Sequence, residues 1–525
     1  MWNAFTRRQV WFALVACVAA TTMAAASDIA RSTPPHVVVI LADDLGWGDL
    51  GCYGGEIRTP HVDRLAQQGM RFTDAHSPSA VCTPTRYGIL TGRYAWRSKL
   101  KRGVLGGLSP ALIEPDRVTL GSLLQQAGYY SATIGKWHLG MNWVFKPGRQ
   151  VTELAIESRE QVWNVDYDQP IARGPTSVGF DHYFGISASL DMVPYTFIEN
   201  DRVVRSPTQD RSFLMTRGKE HGGRTRQGPA APGFEATKVL PTLADQACRL
   251  IEEHASRRAK QPLLLYVPLT APHTPILPGD DWAGRSDISA YADFVMQTDA
   301  AVGAIEAALE RASMTENTLL VVTSDNGCSP SANFAELAAH DHHPSGPFRG
   351  HKADIYEGGH RVPFVVRWPT VVKPTSVSDQ LVCLTDLLAT VAEIVDRQLP
   401  AEAGEDSISL LPVLRGETTP GRDHLISHSI NGTFAIRKGD WKLILAPGSG
   451  GWSEPRPGSP QAMGLPARQL YSLKSDPGER ENLVAMHPER VADLHALLER
   501  LVAEGRSTPG EPQPNNGTIE IEVSN

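Results

Sequence analysis

The sequence predicts an α/β protein that carries a small α+β region towards its C-terminus. Three observations predict it. Short β-branched apolar runs alternate with longer segments of helical periodicity. Those runs are apolar throughout, the pattern of parallel strands covered on both faces. Polar residues collect just past their carboxyl ends, where open α/β sheets bind ligands.

Taken in order, His36 to Ala42 (HVVVILA) is a buried strand that ends at Asp43-Asp44. Leu120 to Ala127 reads as a helix and Tyr130 to Ile134 as a strand ending near Lys136. Leu240 to Ala259 has apolar residues at helical spacing. Leu263 to Leu269 (LLLYVPL) is a buried strand ending just before His273, and Ile288 to Ala312 is a long helix. Leu319 to Thr323 (LLVVT) is a strand ending at Asp325-Asn326. Val362 to Arg367 is a further strand and Leu381 to Val395 is helical. These elements make a main domain over 34–418. Within it, 142–239 is rich in Gly, Pro, Arg and Gln with weak periodicity, and reads as inserted loops above the strand ends.

Past a polar linker, Phe434 to Arg437 and Trp441 to Leu445 read as strands joined by a Lys438-Gly439-Asp440 turn. Leu470 to Leu473 is a third strand and Pro488 to Glu504 an amphipathic helix, giving a small α+β subdomain over 423–506. A Gly/Pro-rich stretch, Pro447 to Pro466, interrupts it. The polar tail, 507–525, is expected to be loose.

A chain of 525 residues exceeds one ordinary compact domain. Its net charge of -8 argues against a nucleic-acid binder and confines any anion site to a local basic pocket. Arg7 and Arg8, the apolar Val10 to Ala20 and the small Ala24-Ala25-Ala26 read as an export signal over 1–26. The alternatives are an uncleaved anchor and, through Leu14-Val15-Ala16-Cys17, a lipoprotein anchored at Cys17. No later segment reads as a membrane span, so a periplasmic or secreted protein is expected. Cys52, Cys248, Cys328 and Cys383 are widely spaced without a CxxC pattern, and either disulfides or buried thiols suit them.

Asp43, Asp44, Asp325 and Asn326 are oxygen donors at the ends of two predicted strands. Such a set selects a hard cation, Ca²⁺ or Mg²⁺, over zinc. Lys136 and Lys352 sit in Gly-rich blocks near predicted strand ends. His138 follows Lys136 in a Lys-Trp-His-Leu context, and His273 lies past another predicted strand in Ala-Pro-His-Thr-Pro. His340, His342, His343, His351 and His360 receive no role, although substrate contacts are open to them.

Cys82-Thr83-Pro84-Thr85-Arg86, followed by Tyr87-Gly88-Ile89-Leu90-Thr91-Gly92-Arg93, resembles the signature of type I sulfatases, in which the cysteine is oxidised to formylglycine. The resemblance extends over nearly the whole mature chain. It includes Ala42 to Asp49, Gly135 to Gly140, Ala271 to Pro275, Ser324 to Gly327, Arg349 to Lys352, Glu357 to Pro363, and Asp476 to Glu479. It implies an alkaline-phosphatase-like fold: a large mixed sheet between helices, then a small domain with an antiparallel sheet. It also implies one Ca²⁺ on Asp43, Asp44, Asp325, Asn326 and residue 82, with Mg²⁺ the lesser alternative. Cys82 becomes the nucleophile as the aldehyde hydrate. Arg86 holds that hydrate, with Pro84 restraining the turn. Lys136 and Lys352 bind the sulfate, His273 assists the leaving alcohol, and His138 helps release sulfate from residue 82.

The expected partners are a maturation enzyme and a sulfated small molecule or glycan. Gly185 to Tyr195 looks like the substrate-facing segment of bacterial arylsulfatase and carbohydrate-sulfatase relatives, making Asp191 and Tyr195 candidates for the leaving-group pocket. Two alternatives stay open: a phosphonate monoester or phosphodiester hydrolase of the same superfamily, and a sulfated-glycan binding protein without turnover.

Overall fold

The apolar runs form the middle of a ten-stranded mixed sheet. The structure is a computed structural model that describes residues 34–418 and 421–522. The expected export signal and Cys17 lie outside the described residues.

His36–Asp43 sits at the sheet's centre, parallel to Leu263–Pro272 on one side and to Thr318–Ser324 on the other. Val37, Val38, Ile40 and Leu41 are fully buried. Each side chain contributes roughly 1.5–3 kcal/mol on leaving water. Tyr130–Lys136 continues the parallel run next to Leu263–Pro272, and His182–Ile186 pairs with it in turn. On the other flank Phe364–Arg367 turns antiparallel to Thr318–Ser324, and Met70–Phe72 follows.

The stretch expected to be inserted loops therefore differs in part. His182–Ile186 is a full member of the sheet, and Ile198–Glu199 and Arg202–Val203 extend that edge. Glycine makes the close strand packing feasible. A Cβ on Gly135, at φ 147, would lie 1.9 Å from the Pro268 carbonyl oxygen, and one on Gly185 1.7 Å from that of Gly135.

Two groups of mutually packed helices cover the sheet. Pro60–Gln68, Val239–Arg257 and Ala290–Arg311 form one, and Cys82–Thr91, Leu120–Gln126 and Leu387–Ile394 the other. Val239–Arg257 buries Leu240, Leu243, Ala244, Ala247 and Ile251, one stripe at helical spacing. The N-terminus of Pro60–Gln68 is capped from a different helix. Asp299 accepts from the backbone N–H of His61 at 3.1 Å and of Val62 at 2.8 Å.

Towards the C-terminus, His424–His428, Phe434–Lys438, Trp441–Ile444 and Gln469–Ser472 make a four-stranded antiparallel sheet. The Pro488–Ala503 helix buries Leu494, Leu497, Leu498 and Leu501 against it, with Tyr94 and Trp96 in the same apolar cluster. His424–His428 was not expected, because its apolar residues are flanked by histidines. The tail is tied down rather than loose over its described part. Asn516 N–H donates to the Arg97 carbonyl at 2.7 Å, and Asn515 Nδ2 to that of Val502 at 2.7 Å.

A buried ionic network joins the two sheets. Lys442 bridges Glu357 and Glu479, each at 2.9 Å, and Arg437 pairs with Asp74 at 2.7 Å. His76 and His360 touch through their Nδ1 atoms at 3.0 Å. Burial pushes both imidazoles below their ordinary range, so both are neutral. Each carboxylate here has a cationic partner, which such burial requires. Cys52, Cys248, Cys328 and Cys383 are free thiols. No helix among the described residues is long and apolar enough to cross a membrane.

Candidate active site

The central strands deliver their polar ends to one place. Asp43 closes the first strand, with Asp44 held at φ 64 just beyond it. Asp325 follows the neighbouring strand, its N–H donating to the Ala42 carbonyl at 3.2 Å. Lys136 ends its own strand, and His273 follows Leu263–Pro272 between two cis X-Pro bonds, Ala271-Pro272 and Thr274-Pro275. Cys82 enters from the side, as the first residue of the Cys82–Thr91 helix. Pro84 thus occupies the first turn of a helix, where its missing N–H costs nothing, rather than restraining a turn.

The side chains interlock. Lys136 Nζ lies 2.6 Å from Asp43 Oδ2, and Lys352 Nζ 2.7 Å from Asp44 Oδ2. Arg86, fully buried, donates Nε at 3.0 Å and one terminal NH₂ group at 2.7 Å to Asp325 Oδ2. Its other terminal NH₂ group reaches the Lys136 carbonyl at 3.0 Å. Arg86 is therefore committed to Asp325 and to the Lys136 backbone carbonyl. Asn326 Nδ2 donates to Asp44 Oδ1 at 2.7 Å, and His273 Nε2 lies 3.7 Å from Asp44 Oδ2. Three carboxylates thus meet three permanent cations in one buried cluster.

The electrostatics follow from that balance. Burial would raise Asp43, but Lys136, His273 and Arg86 outweigh it and hold the carboxylate below its usual range. Asp325 is pushed up to about 6, first by burial and then by Asp43. Burial also raises the Cys82 thiol, against the pull of Lys136 and Lys352. Burial and then Lys136 hold His138 neutral. Its Nε2 donates to the Leu105 carbonyl at 2.8 Å, leaving Nδ1, buried and without a partner, as an acceptor. His273 Nδ1 donates to the Thr274 carbonyl at 2.5 Å, which turns Nε2 towards the carboxylates.

These residues fit a divalent cation. Asp43 Oδ1 and Asn326 Oδ1 are buried without a hydrogen-bond partner, and the donors are all oxygen. A second cluster with metal-ligand chemistry, His76, Glu357 and His360, differs in leaving no donor atom free. Lys442 Nζ and Arg361 take both Glu357 oxygens, His76 and His360 meet through Nδ1, and their Nε2 atoms face Asp74 and Lys442.

The family model for sulfatases matches residues 35–396. The chain belongs to the sulfatase family. It is 33% identical over 501 residues to an N-acetylgalactosamine-6-O-sulfatase of Bacteroides thetaiotaomicron, covering 89% of this chain and 93% of the relative. It is 31% identical to human arylsulfatase A, covering 88% and 86%. A solved structure from the glycosaminoglycan metabolism of Bacteroides thetaiotaomicron, 32% identical, matches with a TM-score of 0.76 over 90% of this sulfatase and 99% of that chain. The protein is accordingly a sulfuric ester hydrolase, and its large mixed sheet with a small antiparallel sheet is the alkaline-phosphatase-like fold.

Asp43, Asp44, Cys82, Arg86, Lys136, His138, His273, Asp325, Asn326 and Lys352 all gather at this site of the sulfatase. Tyr195 does not take the part expected of it. Its ring is buried beside Phe213 and Phe234, and its hydroxyl is spent on Thr225 Oγ1 at 2.8 Å and the Arg226 carbonyl at 2.5 Å. Asp191 keeps a buried Oδ1 without a partner. Its segment follows the strand whose end meets the Lys-Trp-His block, through Trp137 N–H to the Ile186 carbonyl at 3.0 Å and His138 N–H to that of Ser187 at 2.9 Å.

Sequence reasoning assigned no role to Asp49, which accepts from Tyr291 Oη at 2.6 Å and contacts His342 Nε2 at 2.8 Å. Tyr291 Oη also reaches the Asp44 carbonyl at 3.3 Å, so this trio braces the acidic turn. A carboxylate so close in sequence to Asp43-Asp44 was the available signal. Of the histidine cluster, His342 is thus structural, while His340 and His343 are exposed.

Proposed function

We propose that this sulfatase removes the sulfate from a sulfated amino sugar of a glycan, using formylglycine at position 82 and one Ca²⁺. The observation that carries the reading is the placement of Lys136 and Lys352. Each is anchored on one carboxylate of the Asp43-Asp44 pair, and both act electrostatically on residue 82. With a divalent cation added to the balanced cluster, the site has a net positive charge suited to an ester sulfate. The name of the Bacteroides relative supports the amino-sugar class.

As its hydrate, formylglycine supplies one hydroxyl to attack sulfur and a second whose deprotonation lets sulfate leave. Asp43, Asp44, Asp325 and Asn326 would hold the Ca²⁺, which would supply positive charge beside residue 82. Lys136 and Lys352 hold the sulfate oxygens, where charge builds in the transition state. His273, at the rim with Nε2 inward, gives a proton to the departing sugar oxygen. His138, neutral with Nδ1 free, takes the proton of the second hydroxyl, a role commonly worth ~10²–10⁴ in rate. Asp191, with its unpartnered oxygen, accepts from a sugar hydroxyl. The N-terminal basic, apolar and small-residue pattern supports an exported enzyme.

The test is mass spectrometry of the peptide containing residue 82, together with sulfate release from a panel of sulfated sugars. Formylglycine and release from a sulfated N-acetylhexosamine are expected. Unmodified cysteine in active enzyme overturns the mechanism, and turnover of aryl phosphonates far above all sulfates overturns the substrate class.

A further inference from the structure

We propose that the Trp452 indole is the platform for the substrate's pyranose ring, supplied to the active site by the C-terminal sheet. The proposal rests on the carbohydrate reading above. Trp452 belongs to the Gly/Pro-rich stretch between the Trp441–Ile444 and Gln469–Ser472 strands, for which fold and catalysis give no use.

Two facts set this residue apart from other exposed apolar side chains. The first is position. The ring lies 6.0 Å from the Nζ of Lys352, the lysine assigned to the sulfate. A sugar joined to a sulfate on that ammonium lies within one ring's reach of the indole. The second is rigidity. The backbone N–H groups of Trp452 and Ser453 both donate to Asp354 Oδ1, at 2.7 and 3.0 Å. Ile355 N–H donates to the Ser449 carbonyl at 2.8 Å. A Cβ on Gly451 would lie 2.3 Å from the Ala353 carbonyl oxygen, so only glycine lets the loop press this closely on the segment after Lys352.

Trp452 is nonetheless 38% exposed. A flat apolar surface held firmly, left partly in water and set beside the anion-binding lysine matches the chemistry of a pyranose. One face of such a ring carries C–H groups and its edges carry hydroxyls. The Lys352 ammonium lies within cation–π range of the ring, which ties the platform to the sulfate site. Selectivity follows: a ring-bearing sulfate gains the contact and an acyclic one does not.

The experiment compares wild type, Trp452→Ala and Trp452→Phe on N-acetylgalactosamine 6-sulfate and on propyl sulfate. For Trp452→Ala, the ratio of kcat/KM for sugar over propyl sulfate falls about tenfold, mainly through KM, and Trp452→Phe recovers most of it. An unchanged ratio, or Phe no better than Ala, overturns the proposal. Binding is read separately on protein whose Cys82 is left unconverted, by titrating N-acetylgalactosamine 6-sulfate and following tryptophan fluorescence. A change seen in wild type and lost in Trp452→Phe is expected, and an identical change in both overturns the platform. If wild type hydrolyses no sulfate yet the Trp452-dependent change is present, the catalytic reading fails and the platform stands.

Discussion

Replacing Lys352 by alanine tests the sulfate cradle where it is most exposed to error. The side chain is 7% exposed and its Nζ lies 2.7 Å from Asp44 Oδ2. Burial opposes its charge, but Asp44 outweighs burial and keeps the ammonium protonated well beyond the ordinary lysine range. The group is thus a fixed positive donor. Loss of one such donor from a transition state typically costs ~10²–10³ in kcat, about 2.7–4 kcal/mol. The cost to folding is smaller than for an isolated buried pair, since Asp44 keeps Asn326 Nδ2 at 2.7 Å. Lys352→Arg recovers little, because a planar guanidinium does not replace a compact ammonium at one carboxylate oxygen. The assay is initial rates on 4-nitrophenyl sulfate and N-acetylgalactosamine 6-sulfate, divided by the fraction of residue 82 converted. Normalisation matters, since a variant that escapes maturation mimics a catalytic defect. Rates within about threefold of wild type at full conversion refute the assignment of Lys352 to the transferring group.

Dialysis against a chelator abolishes turnover, and Ca²⁺ restores it better than Mg²⁺; full activity in metal-free protein removes the cation from the site. Asp299→Ala removes the remote cap of the Pro60–Gln68 helix and costs about 1–2 kcal/mol in chemical denaturation. Asp299 is pushed up, chiefly by burial, from an ordinary 3.8 to about 6, so the unfolded chain ionises first and stability falls as pH rises through that window. Asp299→Asn flattens that slope, and an unaltered slope in thermal melts across the same pH range counts against the argument. Tyr195→Phe removes a part-buried hydrogen bond to the Arg226 carbonyl and lowers stability by about 0.5–1.5 kcal/mol. The same variant leaves KM for the sugar sulfate unchanged, and a raised KM returns Tyr195 to the substrate pocket.

The strands that carry the site were legible because they are long and uniformly apolar, and their ends show where Asp43, Lys136, His273 and Asp325 must lie. Local pattern failed elsewhere for identifiable reasons. The Cys82–Thr91 helix is buried on every side, so it has no polar stripe to announce it. His182–Ile186 is a short strand with an internal glycine, and its place in the sheet comes from pairing with a distant strand. Tyr195 and Trp452 show the same limit for side chains. One aromatic is buried in structure and the other left at the rim, and only tertiary packing separates them. Likewise the separation of His342 from His340 and His343 depends on Asp49 lying opposite one of them.

The backbone around Ala353 sets an order of events in the life of this chain. Ala353 N–H donates to the Ala80 carbonyl at 2.8 Å, and Ile430 N–H to the Ala353 carbonyl at 3.1 Å. Ala80 N–H in turn donates to the His428 carbonyl at 3.0 Å. The segment before Cys82, the Lys352 loop and the last sheet are thus stitched into one seam, and Cys82 is 3% exposed beneath it. Under the proposed formylglycine mechanism, a maturation enzyme would need access to Cys82 and its neighbours. That is open only before the seam closes, and the seam cannot close until the C-terminal strands have been synthesised. On the proposed formylglycine mechanism, conversion would fall between the emergence of residue 82 and the docking of the last sheet, and a chain that folds first has its cysteine sealed beneath the seam.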